Sequence, residues 1–204
     1  MIHQNVITDF SPKVYFPKIE ESAFIHPLAA VIGNSIIGKN VLVSPFASIR
    51  GDEGQPLHVG DDSNVQDGVI IHALETLSEG EAIDANLVEA KGEKYAVYIG
   101  SRVSLAHQVQ IHGPAFVGDD TFVGMKSLVF KSHIGEHCVI EPGCVVMGVT
   151  IASEKYIPAL SVVRTQEDAD NLPDITDDYF MKDMNKGVIH VNTALAAGYK
   201  KAHL

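Results

Sequence analysis

Three of the ten histidines in this 204-residue chain, His72, His107 and His112, fall where imidazoles could share one metal ion. Imidazole nitrogen is the commonest protein ligand for a catalytic transition metal, and three such ligands leave a coordination position open for water. Zinc and ferrous iron both accept three imidazoles plus water, and Co2+ can substitute, so the ligand type does not choose the metal. His3, His26, His58, His133, His137 and His203 lack partners at comparable spacing and read as surface residues.

Whether the three converge depends on the elements that carry them. Branched apolar residues recur every six positions at Ile25, Val31, Ile37, Val43 and Ile49, then at Val59, Val65 and Ile71. The register returns at Ile99, Leu105, Ile111, Val117, Val123 and Val129, and one residue early at Ile134, Ile140 and Val146. Four places after most of these stands a small or β-branched residue, such as Ala29, Ser35, Ala47, Ser63, Thr121, Cys138 or Cys144. Glycine often follows the apolar position, which suits a chain that turns a corner in every hexad. A period of six fits neither an amphipathic helix nor a hairpin strand; it is the signature of a parallel β-helix built from triangular coils stacked about 4.8 Å apart.

Two interruptions break the register, a short one in residues 50–56 and an excursion over 73–98. The second carries Glu75, Glu79, Glu81, Asp84, Glu89 and Glu93 against only Lys91 and Lys94. If both replace ordinary corners, the hexads at Ile49, Ile71 and Ile111 stack on one face. The residue after each, Arg50, His72 and His112, then points outward, because side chains alternate along a strand. His72 and His112 become neighbours that can reach one metal. His107 lies two residues beyond Leu105 on the preceding face and is not expected to converge within one subunit, but a neighbouring subunit can supply it. A three-fold assembly would do so, with the sites shared across interfaces.

Beyond Ile151 the repeat is read as ending. Thr176 is expected to cap a helix with Asp177 and Asp178 in its first turn and an apolar stripe of Phe180, Met184, Val188, Val191, Leu195 and Tyr199. Residues 1–157 thus form the β-helix domain with acidic loop 73–98, and 158–204 a link and a helix packed on it. Cys138 and Cys144 sit in small-residue slots of different faces, as buried thiols and not a bridge. A net charge of −11, from 26 acidic and 15 basic residues, disfavours nucleic acid and anionic lipid. No membrane span or secretion signal is visible, so a cytoplasmic protein is expected, with export open to a longer precursor.

The stretches Ser44–Arg50, Ser63–Glu75 and Ser104–Pro114 resemble the γ-class carbonic anhydrases, and the similarity runs through the repeat and the C-terminal helix. The resemblance implies an all-β, left-handed parallel β-helix of hexapeptide repeats with a C-terminal α-helix, assembled as a homotrimer. It implies reversible hydration of CO2 to bicarbonate by a metal-bound hydroxide, with Zn2+ or Fe2+ on His72 and His112 of one subunit and His107 of the next. It also assigns Arg50 and Asp52 to a salt bridge across the interface, Asn64 and Gln66 to orienting hydroxide and CO2, Glu53 to a carboxylate beside them, and Glu75 to the proton shuttle. Asn192 matches a family position, whereas His190 stands in place of a tyrosine near the site. Many relatives that lack the acidic loop have little activity, so its presence favours an enzyme. A hexapeptide-repeat acyltransferase shares the fold but would leave three converging histidines, Arg50, Asp52, Gln66 and Glu75 unexplained. The other alternative is an inactive γ-like scaffold, against which the intact ligands and loop weigh.

Overall fold

The computed structural model describes residues 1–203, and three parallel sheets in it form the walls of a triangular prism. One wall has eight strands and the other two have seven each. On the first wall Val31, Ile49, Ile71, Ile111, Val129, Val146 and Val163 stack in register. On the second, Ile19, Ile37, Val59, Ile99, Val117, Ile134 and Ile151 do so. On the third the column is Ile25, Val43, Val65, Leu105, Val123, Ile140 and Ile157. These side chains fill the interior with the small-slot residues between them. The hydroxyls in those slots are satisfied inside the coil, as where Ser63 Oγ donates to the Gly100 carbonyl at 3.0 Å.

Corners tighten by left-handed residues. Asn40, Asp62, Arg102 and Asp120 all have φ between 55° and 60° before the third wall, a region that Asn and Asp tolerate better than most residues. Where coils touch, only glycine fits: a Cβ on Gly60 would lie 2.5 Å from the Gly100 carbonyl oxygen.

The repeat extends further than expected in both directions. Ile2–His3 and Lys18–Ile19 pair ahead of the hexad at Ile25, and Tyr156–Ile157 and Val162–Val163 pair after Ile151. The boundary expected at 157 therefore cuts the last coil. Five-residue steps, first from Val129 to Ile134 and again from Val146 to Ile151, shorten a corner without ending the stack. The excursion is also shorter than 73–98, because Val97–Ile99 already lies on the second wall, and between come two hairpins, Leu77–Ser78 with Glu81–Ala82 and Val88–Ala90 with Glu93–Tyr95.

A short helix, α1 (Gln166–Asp170), follows the last coil, started by a capping box between Thr165 and Asp168. It places Ala169 over the open end, where Leu172 joins the main core. The long helix, α2 (Met184–Lys201), begins eight residues after Thr176. The intervening turns are held by tertiary contacts: Tyr179 stacks on Tyr156 at 4.1 Å and donates its hydroxyl to Glu141 at 2.8 Å. Phe180, expected in the apolar stripe, is 81% exposed. α2 lies on the third wall, burying Ala196 against Phe24 and Leu42, with the Tyr199 ring tilted against that of Phe24, centroids 4.9 Å apart. Both cysteines are free and buried, as expected.

Candidate metal centre

The outward residues of the first wall form a column. Ile71 and Ile111 pair across adjacent coils, and with them His72 and His112, whose rings meet edge to face with centroids 5.5 Å apart. Phe130 continues the column one coil on, its ring 5.4 Å from that of His112. Ile111 lies just inside His112 and is fully buried, so Ile111→Ala should destabilise the fold by about 2–5 kcal/mol. Urea titration of the protein checks this.

The short interruption brings two carboxylates to the histidines. His72 Nε2 lies 3.2 Å from Asp52 Oδ1 and 3.2 Å from Glu53 Oε1. Arg50 pairs with Asp52 at 3.1 Å within the same chain. Burial pushes the Asp52 carboxyl up, but the His72 hydrogen bond and the Arg50 charge more than offset it and hold Asp52 below the usual carboxylate range. Burial also raises Glu53, and there it prevails, helped by the negative charges of Asp52 and Glu75 against His72 and Arg50. Two adjacent carboxyls pushed in opposite directions are suited to opposite ends of a proton transfer.

The hydrogen bonds leave metal-binding nitrogens available. His112 Nδ1 lies 3.1 Å from the Gly113 carbonyl, an acceptor that requires the proton on Nδ1 and leaves the Nε2 lone pair free. His107 Nδ1 lies 3.1 Å from Asp67 Oδ2, the carboxylate–histidine pairing that orients imidazole ligands. Asp52, Glu53 and His72 offer ligand atoms within 4.8 Å of one another, and neither His107 nor His112 joins them in such a group among the described residues. His107 and His112, each with Nδ1 engaged, and the group of Asp52, Glu53 and His72, in which His72 Nε2 itself faces the carboxylates, offer donors that suit a divalent cation.

His107 instead borders a groove of about 900 Å3 between α2 and the third wall, shared with Gln66, Asn192, Val191 and Leu195. Gln66 Nε2 donates to Asn64 Oδ1 at 2.9 Å, and Asn64, fully buried, donates to Ser104 Oγ at 2.9 Å. This relay fixes how Gln66 meets the groove. The Asn192 amide donates to the Val188 carbonyl at 2.8 Å. Glu75 is exposed at the start of the acidic excursion.

Some residues lie elsewhere than their sequence context suggests. His190 lines a separate groove with Arg102, Asp120 and His137, away from Asn192. His58 is no plain surface residue: it stacks on Tyr98 at 4.7 Å, bonds the Ile99 carbonyl at 3.0 Å, and burial lowers its pKa. His133 stacks on Phe116 at 4.1 Å in the same column. Sequence reading missed Ser104, Asp67 and Phe130. Ser104 and Phe130 were accessible through register, since Ser104 pairs with Asn64 and Phe130 with His112.

Coils stacked by hexads, with a histidine pair on one wall, define a hexapeptide-repeat β-helix protein, and residues 16–51 match the family model described as bacterial transferase hexapeptide (six repeats). A hexapeptide transferase family protein from Anaplasma phagocytophilum superposes with a TM-score of 0.68 at 22% identity, covering 91% of this chain and 93% of that one, a likeness of fold alone. Within that class the chain belongs to the γ-class carbonic anhydrases. It is 56% identical over 201 residues to the carbonic anhydrase of Methanosarcina thermophila, covering 98% of this chain and 81% of that protein. It is also 40% identical over 192 residues to the carboxysome assembly protein CcmM of a Nostoc species, covering 94% of this chain and 33% of that protein. No helix among the described residues is long and apolar enough to cross a membrane.

Proposed function

We propose that this protein catalyses the reversible hydration of CO2 to bicarbonate at a divalent metal held by His72 and His112 of one subunit and His107 of a neighbouring one. The observation that carries the reading is the pairing of His72 with His112 across adjacent coils, rings 5.5 Å apart, in a chain 56% identical to a carbonic anhydrase. A bound Zn2+ or Fe2+ supplies Lewis acidity that makes water a nucleophile near neutral pH.

The chain's own residues do the rest. Gln66, held by Asn64 and Ser104, presents polar amide atoms toward the groove at a set angle, which orients CO2 and the attacking oxygen. Apolar side chains of the groove, among them Val191 and Leu195, favour CO2 over water. Glu53, with its raised pKa, takes the proton released near His72, and exposed Glu75 passes it to buffer.

A trimer completes the site. His107 is 54% exposed beside a groove that leaves Val191 53% and Leu195 40% exposed on α2. A second copy covering this face would bury the aliphatics and carry His107 to the histidine pair. Arg50 and Asp52, paired with each other beside His72 within one chain, would exchange partners to bridge the same interface in the trimer.

Chelator treatment should abolish CO2 hydration, and Zn2+, or Fe2+ under anaerobic conditions, should restore it; stopped-flow assay with metal analysis checks both. Hydration activity that survives complete metal removal would overturn the reading. Metal analysis after anaerobic purification identifies the native ion.

A further inference from the structure

We propose that Thr76 is a positioning residue for proton transfer, a buried clamp whose hydroxyl ties the loop carrying Glu53 to the loop carrying Glu75. The proposal rests on the reading of these two carboxylates as proton carriers, and it names what sets their separation.

Thr76 is fully buried although it adjoins exposed Glu75. Its Oγ1 donates to the Glu53 carbonyl at 2.5 Å and accepts from the Gln55 N–H at 2.6 Å. Its own N–H donates to the same Glu53 carbonyl at 2.9 Å, and its carbonyl accepts from the Ile83 N–H at 2.9 Å. A hydroxyl donates and accepts at once, so one small side chain closes both bonds, and an isosteric valine closes neither. The short loop is shaped to this hydroxyl. Gly54 has φ +101°, and a Cβ there would fall 2.7 Å from Thr76 Oγ1 and 2.8 Å from the Phe10 carbonyl oxygen.

The next residues complete the anchor. Asn86 Nδ2 donates to the Glu75 carbonyl at 2.8 Å, so the Glu75 backbone is tied on the side away from the clamp. Glu75 therefore swings by its side chain alone, from a fixed base, and not by movement of a loop. That base and the Glu53 backbone share the Thr76 bonds, so the hydroxyl, together with the Thr76 N–H, fixes the span a proton must cross. Position matters steeply here, since a shift of about 1 Å in a reacting group can cost as much as 100-fold in rate.

The test compares Thr76→Val, Thr76→Ser, Glu75→Ala and the double variant Thr76→Val/Glu75→Ala as metal-loaded full-length proteins. Thr76→Val should lower kcat about tenfold and kcat/KM by less than about twofold, with bound metal unchanged. Thr76→Ser should retain wild-type kcat, imidazole buffer should restore most of the Thr76→Val loss, and the double variant should be no slower than Glu75→Ala alone. Wild-type kcat in Thr76→Val alongside a slowed Glu75→Ala overturns the clamp but not the shuttle; wild-type kcat in Glu75→Ala overturns the shuttle itself. A joint fall of kcat, kcat/KM and metal content that serine fails to rescue marks a merely structural residue and also overturns the clamp. Should Thr76→Val not fold, hydrogen exchange in the wild type decides: the Gln55 and Thr76 amides should be protected, and exchange at the rate of open loop amides overturns the proposal.

Discussion

Chains carrying His107→Ala and chains carrying His72→Ala, each inactive alone, are expected to regain CO2 hydration when assembled together. Either substitution removes one of the three imidazoles of the proposed site, and the remaining two should not hold stoichiometric metal. In a mixed assembly, an interface whose His72 and His112 come from a His107→Ala chain and whose His107 comes from a His72→Ala chain is intact. Every mixed trimer, whichever chain is in excess, has one such whole interface among its three, so in assemblies isolated through both tags about a third of activity and bound metal should return. Co-expression with two affinity tags, followed by metal analysis and stopped-flow assay, measures it. The structural basis is the separation within one chain: His72 and His112 pair on the first wall, while His107 borders the groove under α2. Recovery absent from isolated mixed assemblies would place all three ligands within one chain, and stoichiometric metal in either single variant would remove that residue from the ligand set.

Glu75→Ala is expected to lower kcat about 100-fold while kcat/KM changes only a few-fold. The split follows from the order of events. kcat/KM reports the steps through attack on CO2, which do not need the outer carboxylate, whereas kcat includes export of the proton that regenerates the nucleophile. Glu53 is raised by burial and Asp52 is held low by His72 and Arg50, so of the two inner carboxyls Glu53 is the more readily protonated. Glu75 is exposed and lies close enough for its charge to act on Glu53. On the proposed mechanism, removing it takes away the proton's route to bulk solvent. A small diffusible base such as imidazole should restore much of kcat by replacing the side chain. Unchanged kcat over a range of low buffer concentrations would remove Glu75 from the mechanism.

The acidic excursion therefore divides into parts with different duties. Its base, Glu75 and Thr76, is tied to the short loop at 52–56 and to Asn86. Its far part, the hairpin Val88–Ala90 with Glu93–Tyr95, is moored by aromatic contacts, with Tyr95 meeting both Tyr98 and His58 edge to face. Negative charge along it is left to solvent, with Lys94 paired to Asp84 at 2.7 Å as a surface contact of little energetic weight.

Periodicity alone determined the architecture and half of the candidate metal centre. A six-residue spacing of branched apolar side chains stacks as triangular parallel coils, and once Ile71 and Ile111 share a column, His72 and His112 must adjoin on the outer face. The His72–His112 pair, the small-slot cysteines and the intrusion of an acidic loop beside a histidine were legible from that spacing, whereas His107 needed the expectation of a three-fold assembly. What tertiary structure decided lay where no period operates. The start of α2 moved from Thr176 to Met184 because Tyr179 is held on Tyr156 and Glu141, contacts worth more than a good local cap. The last coil and α1 appear because five-residue corners are sterically as acceptable as six, which a search for strict repeats overlooks. Thr76 looked like any loop threonine, since its role depends on a carbonyl and an N–H more than twenty residues away in sequence. Repeats propagate position by counting, whereas loops and caps acquire it only from the partners that folding brings to them.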